Sequence, residues 1–254
     1  MRTFHLELKI LNFAIFSSMK ELPENLDVYE FQREIKRDQD YNNTWHLVNK
    51  TNPTTFTPYL TEGNIPIRQE FSWSQFFDDD KPIEVEIGSG KGGFTLDYAE
   101  KRPDINIMGS EWDTKCARYG GSRIEKHQIS NAVMLHGDLF YFLRDYVPDD
   151  SVSAFHMYFP DPWPKKRQRK KRLMKPELLE NILRATKPGG ESKFYWGTDF
   201  QEYNEVAQEL FAETPWLELE IQDAEPTYGI MTNFEKKYRE EGRPIYRSVF
   251  KIVK

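Results

Sequence analysis

The sequence predicts an α/β fold with a mostly parallel β-sheet, helices on both faces of that sheet and an antiparallel strand near the C-terminus. From residue 81 onward, short stretches rich in apolar and β-branched residues alternate with longer helical stretches that end at proline or glycine. The first strand also runs directly into a glycine-rich loop that opens a helix. Strands that alternate with helices form mostly parallel sheets, and such sheets bind ligands at the carboxyl ends of their strands.

The predicted elements follow one another in a regular order. Strands are predicted at 83–87, 105–109, 132–135, 151–159, 192–196, 217–221 and 245–252, and helices at 92–102, 113–128, 175–187 and 200–213. Pro103 ends the first of these helices, and the turn Lys187-Pro188-Gly189-Gly190 ends the third.

Length and composition indicate one domain with a modest extension. The chain has 254 residues, of which 38% are hydrophobic, and this is enough for a sizeable core. We expect residues 81–254 to form the domain and residues 1–80 to form an N-terminal extension with weak structure, including one helix near 27–38. The single cysteine, Cys116, excludes an internal disulfide and a cysteine cluster for zinc. A reducing compartment, the cytoplasm, is therefore expected.

The first residues allow two alternative interpretations. A short apolar segment, 10–16, follows Arg2 and Lys9 and loosely resembles a secretory signal, but no small-residue cleavage site follows it. Translation that starts at Met19 would instead make residues 1–18 a spurious leader. No apolar stretch is long enough to span a bilayer, so no membrane association is expected.

The glycine-rich loop predicts a cofactor site. Gly88, Gly90 and Gly93 match the dinucleotide fingerprint G-x-G-x-x-G, so the loop alone does not separate NAD from S-adenosylmethionine. Glu86 favours S-adenosylmethionine, because a carboxylate there can accept from an ammonium group but would repel a pyrophosphate. Glu111, which ends the second strand, can take both ribose hydroxyls in either cofactor.

Two more acidic residues follow later strands or open helices. Asp138 comes directly after the third strand, where it can accept from the adenine amino group. Asp113 is a weaker candidate for the ribose, and the alternative for it is a helix N-cap. The order of acid and glycine loop, acid, acid and Pro-Gly-Gly turn is typical of class I methyltransferases, which have a Rossmann-like fold.

The stretch that follows the fourth strand predicts the acceptor site. Prolines at 160, 162 and 164 stiffen a loop that holds Asp161 and Trp163, and we expect Trp163 to pack against the loop. Residues 165–172 then hold seven cations in eight positions. Although the net charge of the chain is −6, this run next to a stiff loop favours phosphate binding over a solvated face.

Several motifs in order resemble one family. The stretch 160–167 (Pro-Asp-Pro-Trp-Pro-Lys-Lys-Arg), the pair Thr198-Asp199, the segment 232–237 and the segment 242–247 are similar to those of bacterial tRNA (guanine-N7-)-methyltransferases. The resemblance covers residues 82–254. It implies that S-adenosylmethionine methylates N7 of guanine 46 in the variable loop of tRNA, and it leaves open whether the chain acts as a monomer or a homodimer.

The resemblance also assigns residues by matching position. It implies a cofactor pocket lined by Glu86, Glu111, Asp138 and Asp161 beside the glycines Gly88 and Gly90, with Asp161 also as the catalytic residue. It implies tRNA contacts from Lys165, Asp199, Thr232, Asn233, Phe234 and Glu235. No metal is implied. The long N-terminus lacks a clear basic arm, which puts its role in tRNA binding in doubt.

The chemistry of guanine limits what such a site must do. N7 carries an in-plane lone pair and no proton, so methyl transfer needs no general base before attack. Our hypothesis is that Asp161, together with Asp199 or Glu235, holds the N1–H and amino edge of the base and favours the developing cation. Three alternatives remain open at this point: an NAD-dependent oxidoreductase, a non-catalytic RNA-binding protein, and a methyltransferase that acts on another base or a small molecule.

Overall fold

The computed structural model describes residues 71–254 in full and the backbone of four short N-terminal segments, 45–47, 55–56, 61–62 and 65–66. The helix expected near 27–38 and the alternative leader 1–18 lie outside the described residues. Within the described part of the chain, no helix is both long and apolar enough to cross a bilayer.

The helices and strands alternate along the chain as the sequence predicts. The strands are β1 (Trp45–Leu47), β2 (Thr55–Phe56), β3 (Thr61–Glu62), β4 (Ile65–Pro66), β5 (Ile83–Ile87), β6 (Asn106–Glu111), β7 (Ala132–His136), β8 (Val152–Tyr158), β9 (Lys193–Thr198), β10 (Leu217–Gln222) and β11 (Tyr246–Ile252). The helices are α1 (Gly93–Lys101), α2 (Thr114–Lys126), α3 (Leu139–Asp145), α4 (Pro176–Ala185), α5 (Gln201–Ala212) and α6 (Asn233–Glu240). Short 3-10 helices lie at Trp73–Gln75, Lys166–Lys171 and Thr227–Gly229.

The main sheet confirms the predicted α/β architecture. Its strand order is β10-β11-β9-β8-β5-β6-β7-β1-β2, and β5 to β9 are mutually parallel. Strand β11 runs antiparallel to both of its neighbours, β9 and β10, as expected for the C-terminal strand. The N-terminal β1 adds an antiparallel strand beside β7, which the sequence does not predict.

Apolar side chains cover both faces of the sheet. Along β6, Ile107 packs into the cluster formed with α1 and α2, whereas the next residue, Met108, packs into the cluster formed with α3, α4 and α5. Three phenylalanines assigned to the extension, Phe71, Phe76 and Phe77, are buried in the second cluster. Among the described residues, the packed core therefore includes Phe71, Phe76 and Phe77, which lie N-terminal to the predicted boundary between residues 80 and 81.

Gly109 of β6 lies where no side chain fits. A Cβ atom there would lie 2.5 Å from Thr95 Oγ1 and 2.7 Å from both Met134 Sδ and Ser89 Oγ. We expect Gly109→Ala to lower the free energy of unfolding by about 1–3 kcal/mol, as overpacking of a core does. Urea unfolding followed by circular dichroism measures this loss, and a midpoint equal to that of the wild type would contradict the packing described here.

Candidate active site

Four carboxylates follow four adjacent strands at the same edge of the sheet. Glu86 lies near the end of β5 and Glu111 ends β6, while Asp138 and Asp161 follow β7 and β8. Since β8, β5, β6 and β7 are neighbours and run parallel, their carboxyl ends meet at one edge. The structure thus brings together the acidic residues that the sequence assigns to the cofactor pocket.

The glycine loop at this edge forms an open cradle. Gly88 and Gly90 have positive φ angles of 78° and 54°, a conformation that favours glycine. A Cβ atom built on either residue would meet nothing within 4 Å, so a ligand has room to approach the backbone. The loop is held from the next strand by Glu111, whose two carboxylate oxygens accept from Gly90 N and Asp113 N, each at 2.8 Å.

Glu86 is a buried acid within this cradle. Its side chain accepts a hydrogen bond from the Thr95 hydroxyl, and only 3% of the residue is exposed. Burial raises the pKa of Glu86 to about 7, and the neighbouring charge of Glu111 adds to the effect. A ligand cation that replaces the lost water would favour the ionised carboxylate, so the site fits a ligand with an ammonium group.

Two acids near this edge, Asp138 and Asp113, also cap helices. Asp138 accepts from Phe140 N at 2.9 Å as the N-cap of α3, and burial raises the pKa of its carboxyl. Asp113 accepts from Cys116 N at 2.8 Å as the N-cap of α2, and it is exposed. Asp113 therefore has the capping role that the sequence allows for it.

The loop after β8 is held in a strained conformation. Phe159 and Trp163 have φ angles of 53° and 41°, which non-glycine residues rarely adopt. Arg172 fixes the loop, because its Nε donates to Pro162 O at 2.8 Å while its guanidinium pairs with Glu202. Asp161 is exposed, and it accepts no hydrogen bond from any described residue. The loop therefore presents an available carboxylate at the edge of the cradle.

The basic run 165–172 divides into two groups. Three of its cations stabilise the protein: Arg172 holds the loop, Arg169 pairs with Glu202 at 3.1 Å, and Lys171 Nζ lies 4.7 Å from the centroid of the half-buried Trp163 ring. The other four are exposed and form no ion pair within the described part of the chain: Lys165, Lys166, Arg167 and Lys170. These four are available to phosphates.

The N-terminus of α6 lies against the glycine loop. Thr232 caps the helix by accepting from Glu235 N at 3.1 Å. The Asn233 side chain lies over Gly93, with its Nδ2 3.4 Å from the position of a Cβ there. Phe234, the next residue, is 53% exposed. The structure thus places three residues assigned to tRNA binding beside the cofactor cradle.

Glu235 lies inside the protein and has no exposed surface. One oxygen accepts from Arg239 Nη2 at 2.8 Å and the other from Arg247 Nη1 at 2.7 Å. Arg247 also donates to Thr227 Oγ1 at 3.1 Å, and its guanidinium lies 4.7 Å from the Tyr158 ring. In this arrangement Glu235 fixes α6 to β11 and β8 and does not face the open edge.

Asp199, which follows β9, and Tyr238, on α6, lie near each other on one side of the site. Asp199 accepts from Arg243 Nη1 at 3.0 Å, and the Arg243 guanidinium lies 4.4 Å from the Tyr238 ring. Tyr238 also contacts Phe159, with 5.7 Å between the ring centroids. Burial, followed by the carboxylates of Asp199, Glu241 and Asp161, raises the pKa of the Tyr238 phenol. Tyr238 therefore lies close to Asp161 and Asp199, two of the three acids that the sequence assigns to guanine recognition.

No role for Tyr238, Arg243 or Arg247 is predicted from the sequence. The spacing of Phe234 and Tyr238, four residues apart on one helix, is the signal that could have indicated a shared aromatic surface. No comparable signal links Arg247 to Glu235, because that contact depends on how α6 packs on β11.

Comparisons with known proteins agree with this geometry. A family model described as "Putative methyltransferase" matches residues 80–248. A tRNA (guanine-N(7)-)-methyltransferase of Rhodopirellula baltica is 36% identical over 185 residues, which cover 69% of this chain and 68% of that protein. The chain belongs to the tRNA (guanine-N(7)-)-methyltransferase family. Another member, from Streptococcus pneumoniae, is 33% identical over 72% of this chain and 87% of its own length.

Solved structures confirm the class I methyltransferase fold of this family member. The 16S rRNA methyltransferase KamB superposes with a TM-score of 0.54 at 15% identity, covering 74% of this chain and 99% of that one. A 16S rRNA (adenine(1408)-N(1))-methyltransferase from Catenulisporales acidiphilia, solved with its cosubstrate, gives a TM-score of 0.55 at 13% identity, covering 82% and 97%. At these identities the likeness concerns the fold alone.

Proposed function

We propose that this chain transfers the methyl group of S-adenosylmethionine to N7 of guanine 46 in tRNA, in the cytoplasm. The observation that carries the proposal is the meeting of four carboxylates, an open glycine cradle and a run of available cations at one edge of the sheet. Relatives from Rhodopirellula and Streptococcus that are 30–36% identical are named for guanine-N7 methylation of tRNA. The alternative function, an NAD-dependent oxidoreductase, would give no role to the Asp161 loop or to the available cations of the basic run.

The cofactor is held by acceptors of matching chemistry. Glu86 takes the ammonium group of the methionine part, Glu111 takes the ribose hydroxyls, and Asp138 takes the adenine amino group. The open space above Gly88 and Gly90 admits the ligand close to the backbone. When bound, S-adenosylmethionine supplies an electrophilic methyl group.

Cofactor affinity is expected to depend on pH through Glu86. Because the pKa of Glu86 is raised to about 7, the carboxyl is protonated in acid and ionises as the pH rises through that value. Cofactor binding favours the ionised form, so Kd should fall by up to about tenfold per pH unit between about pH 5.5 and 7 and then level off. Isothermal titration calorimetry at several pH values, in buffers of different ionisation enthalpy, measures Kd and the proton released.

Glu86→Gln is the matched variant for this prediction. It keeps the shape of the side chain but removes its titration. The Kd of the variant for S-adenosylmethionine should therefore be higher than that of the wild type at pH 7.5 and almost constant from pH 5.5 to 7.5. An equally steep pH dependence in Glu86→Gln would show that another group carries the effect.

The substrate guanine is held by Asp161 and Asp199. Their carboxylates accept from the N1–H and amino edge, which directs N7 toward the methyl group. The loop of Asp161 is already fixed by Arg172, so little conformational entropy is lost on binding. Fixed alignment of reacting groups can contribute about 7–11 kcal/mol at best in model systems. A carboxylate beside the base also stabilises the positive charge that develops on the ring.

Helix α6 connects the two halves of the site. Asn233 touches the cofactor loop at Gly93, and exposed Phe234 offers a ring to a nucleotide base. Thr232 and Glu235 act as positioning residues, through the helix cap and through Arg247 respectively. Lys165, at the start of the basic run, is available to a phosphate next to the target base.

The test is methyl transfer from labelled S-adenosylmethionine to unmodified tRNA, followed by digestion to nucleosides. The proposal expects label in 7-methylguanosine. Label in a different nucleoside would contradict the substrate assignment but keep the cofactor, and the absence of S-adenosylmethionine binding would contradict the whole proposal.

A further inference from the structure

The exposed face of α2 carries cations around an aromatic ring. The helix holds four cations and one acid. Lys115, Arg118, Tyr119 and Lys126 are all exposed, and the Tyr119 side chain is 54% exposed. Residues three and four apart on a helix lie on the same side, so Lys115, Arg118 and Tyr119 form one surface. We call these three residues, together with Lys91, the α2 surface.

Three of the four residues of the α2 surface are cations, and none is a carboxylate. Within the described ranges, no carboxylate forms an ion pair with Lys91, Lys115 or Arg118. By comparison, α5 carries three glutamates and no cation, and the whole chain has a net charge of −6. A cationic surface on an acidic protein is suited to a polyanion.

The α2 surface is continuous with the active site. Helix α2 approaches the glycine loop closely, since a Cβ atom on Gly92 would lie 3.1 Å from Gly120 Cα. Lys91, in that loop, has its Nζ 5.8 Å from the centroid of the Tyr119 ring. On the other side of the same loop, Asn233 of α6 lies over Gly93. The glycine loop therefore lies next to both α6 and α2.

The basic run and the α2 surface lie on opposite sides of the cofactor cradle. The run follows β8, whereas α2 follows β6, and β5 with its glycine loop lies between these two strands. A single-stranded or helical RNA bound by only one of these surfaces could pivot about the methylated base. Two cationic surfaces would fix its direction.

We propose that the α2 surface is a second RNA-binding site, which binds phosphates of the substrate tRNA through Lys115 and Arg118 and a base through Tyr119. This inference rests on the proposed function. Cations that contact phosphates release counterions, which makes affinity depend on salt, and exposed aromatic rings between such cations stack on bases.

The test compares tRNA binding by the full-length protein at several salt concentrations. The slope of log K against log salt is negative, and Arg118→Ala should make it shallower by about 0.7–0.9. Lys115→Ala combined with Arg118→Ala should make it shallower by about twice that amount. Lys187→Ala removes an equally exposed cation from the turn before β9, at the opposite edge of the sheet, and should leave the slope unchanged. Tyr119→Ala should weaken binding about tenfold, whereas Tyr119→Phe keeps the ring and the affinity.

Cofactor affinity and turnover separate the possible outcomes. The inference expects an unchanged Kd for S-adenosylmethionine and an unchanged kcat at saturating tRNA, with a raised KM for tRNA. A wild-type slope in both cation variants, while the wild type methylates tRNA, would overturn the inference alone. Parallel loss of cofactor affinity would also overturn it, because α2 would then act through the glycine loop. A wild type that binds no tRNA would overturn the proposed function as well.

Discussion

Asparagine in place of Asp161 should lower kcat for tRNA methylation by about a hundredfold or more, the scale seen when one preorganised electrostatic group is removed from an active site. The substitution keeps the size of the side chain but replaces a negative acceptor with a neutral amide. The amide would hold the guanine N1–H weakly and would not favour the cation that forms on the ring. Since Asp161 accepts no hydrogen bond from the described residues, the fold should be unaffected.

Single-turnover methylation with saturating tRNA and cofactor measures this loss directly. Asp80→Asn is the matched control, because Asp80 is another exposed aspartate and lies at the opposite end of β5. The unfolding midpoint of Asp161→Asn should equal that of the wild type. Turnover close to the wild-type value would refute the role assigned to Asp161.

Methionine in place of Arg247 should have a large effect on both stability and activity. Arg247 is 3% exposed, and it is the buried partner of Glu235. Removing one partner of a buried ion pair typically costs about 3–5 kcal/mol, and here Glu235 would keep only the pairing with Arg239. Helix α6 would also lose its link to β11, so Asn233 and Phe234 would lose their position beside the glycine loop. We expect a lower kcat/KM for tRNA even where the protein remains folded.

Two further variants separate these effects. Arg239 also pairs with Glu235, but its side chain is 44% exposed, so Arg239→Met should cost much less than Arg247→Met. Combining Glu235→Met with Arg247→Met removes both buried charges and should recover part of the lost stability but not the activity. Equal urea midpoints for Arg247→Met and Arg239→Met would argue against the network described here.

The succession of strands along the chain from residue 83 was predictable because each of the seven predicted strands carries its own local pattern. Helices α3 and α6 were not predicted, for different reasons. The first five of the seven residues of α3 are all aromatic or apolar, so the segment shows no helical period. The sequence of α6 is strongly polar, and the helix is fixed by the Thr232 cap and the buried Glu235. Strand β1 has three residues and gains its strand conformation from pairing with β7.

In the candidate site, too, some features were predictable from the sequence and others were not. The acids at the strand ends were predictable, because parallel strands bring their carboxyl ends together whatever the details of packing. The roles of Arg243 and Arg247 were not, since Arg243 meets Asp199 from 44 positions away, and Arg247 meets Glu235 only through the packing of α6 on β11. The pKa of Glu86 likewise depends on packing, because burial in the closed core raises it while the hydrogen bond from Thr95 lowers it.

The most direct test of the central claim changes one atom of the substrate. Two unmodified tRNA transcripts would be compared, one with guanine at position 46 and one with 7-deazaguanine, which has a C–H in place of N7 but keeps the N1–H and amino edge. Our account predicts methylation of the first transcript only, with similar binding of both. Methylation of the 7-deazaguanine transcript at the same rate would contradict transfer to N7.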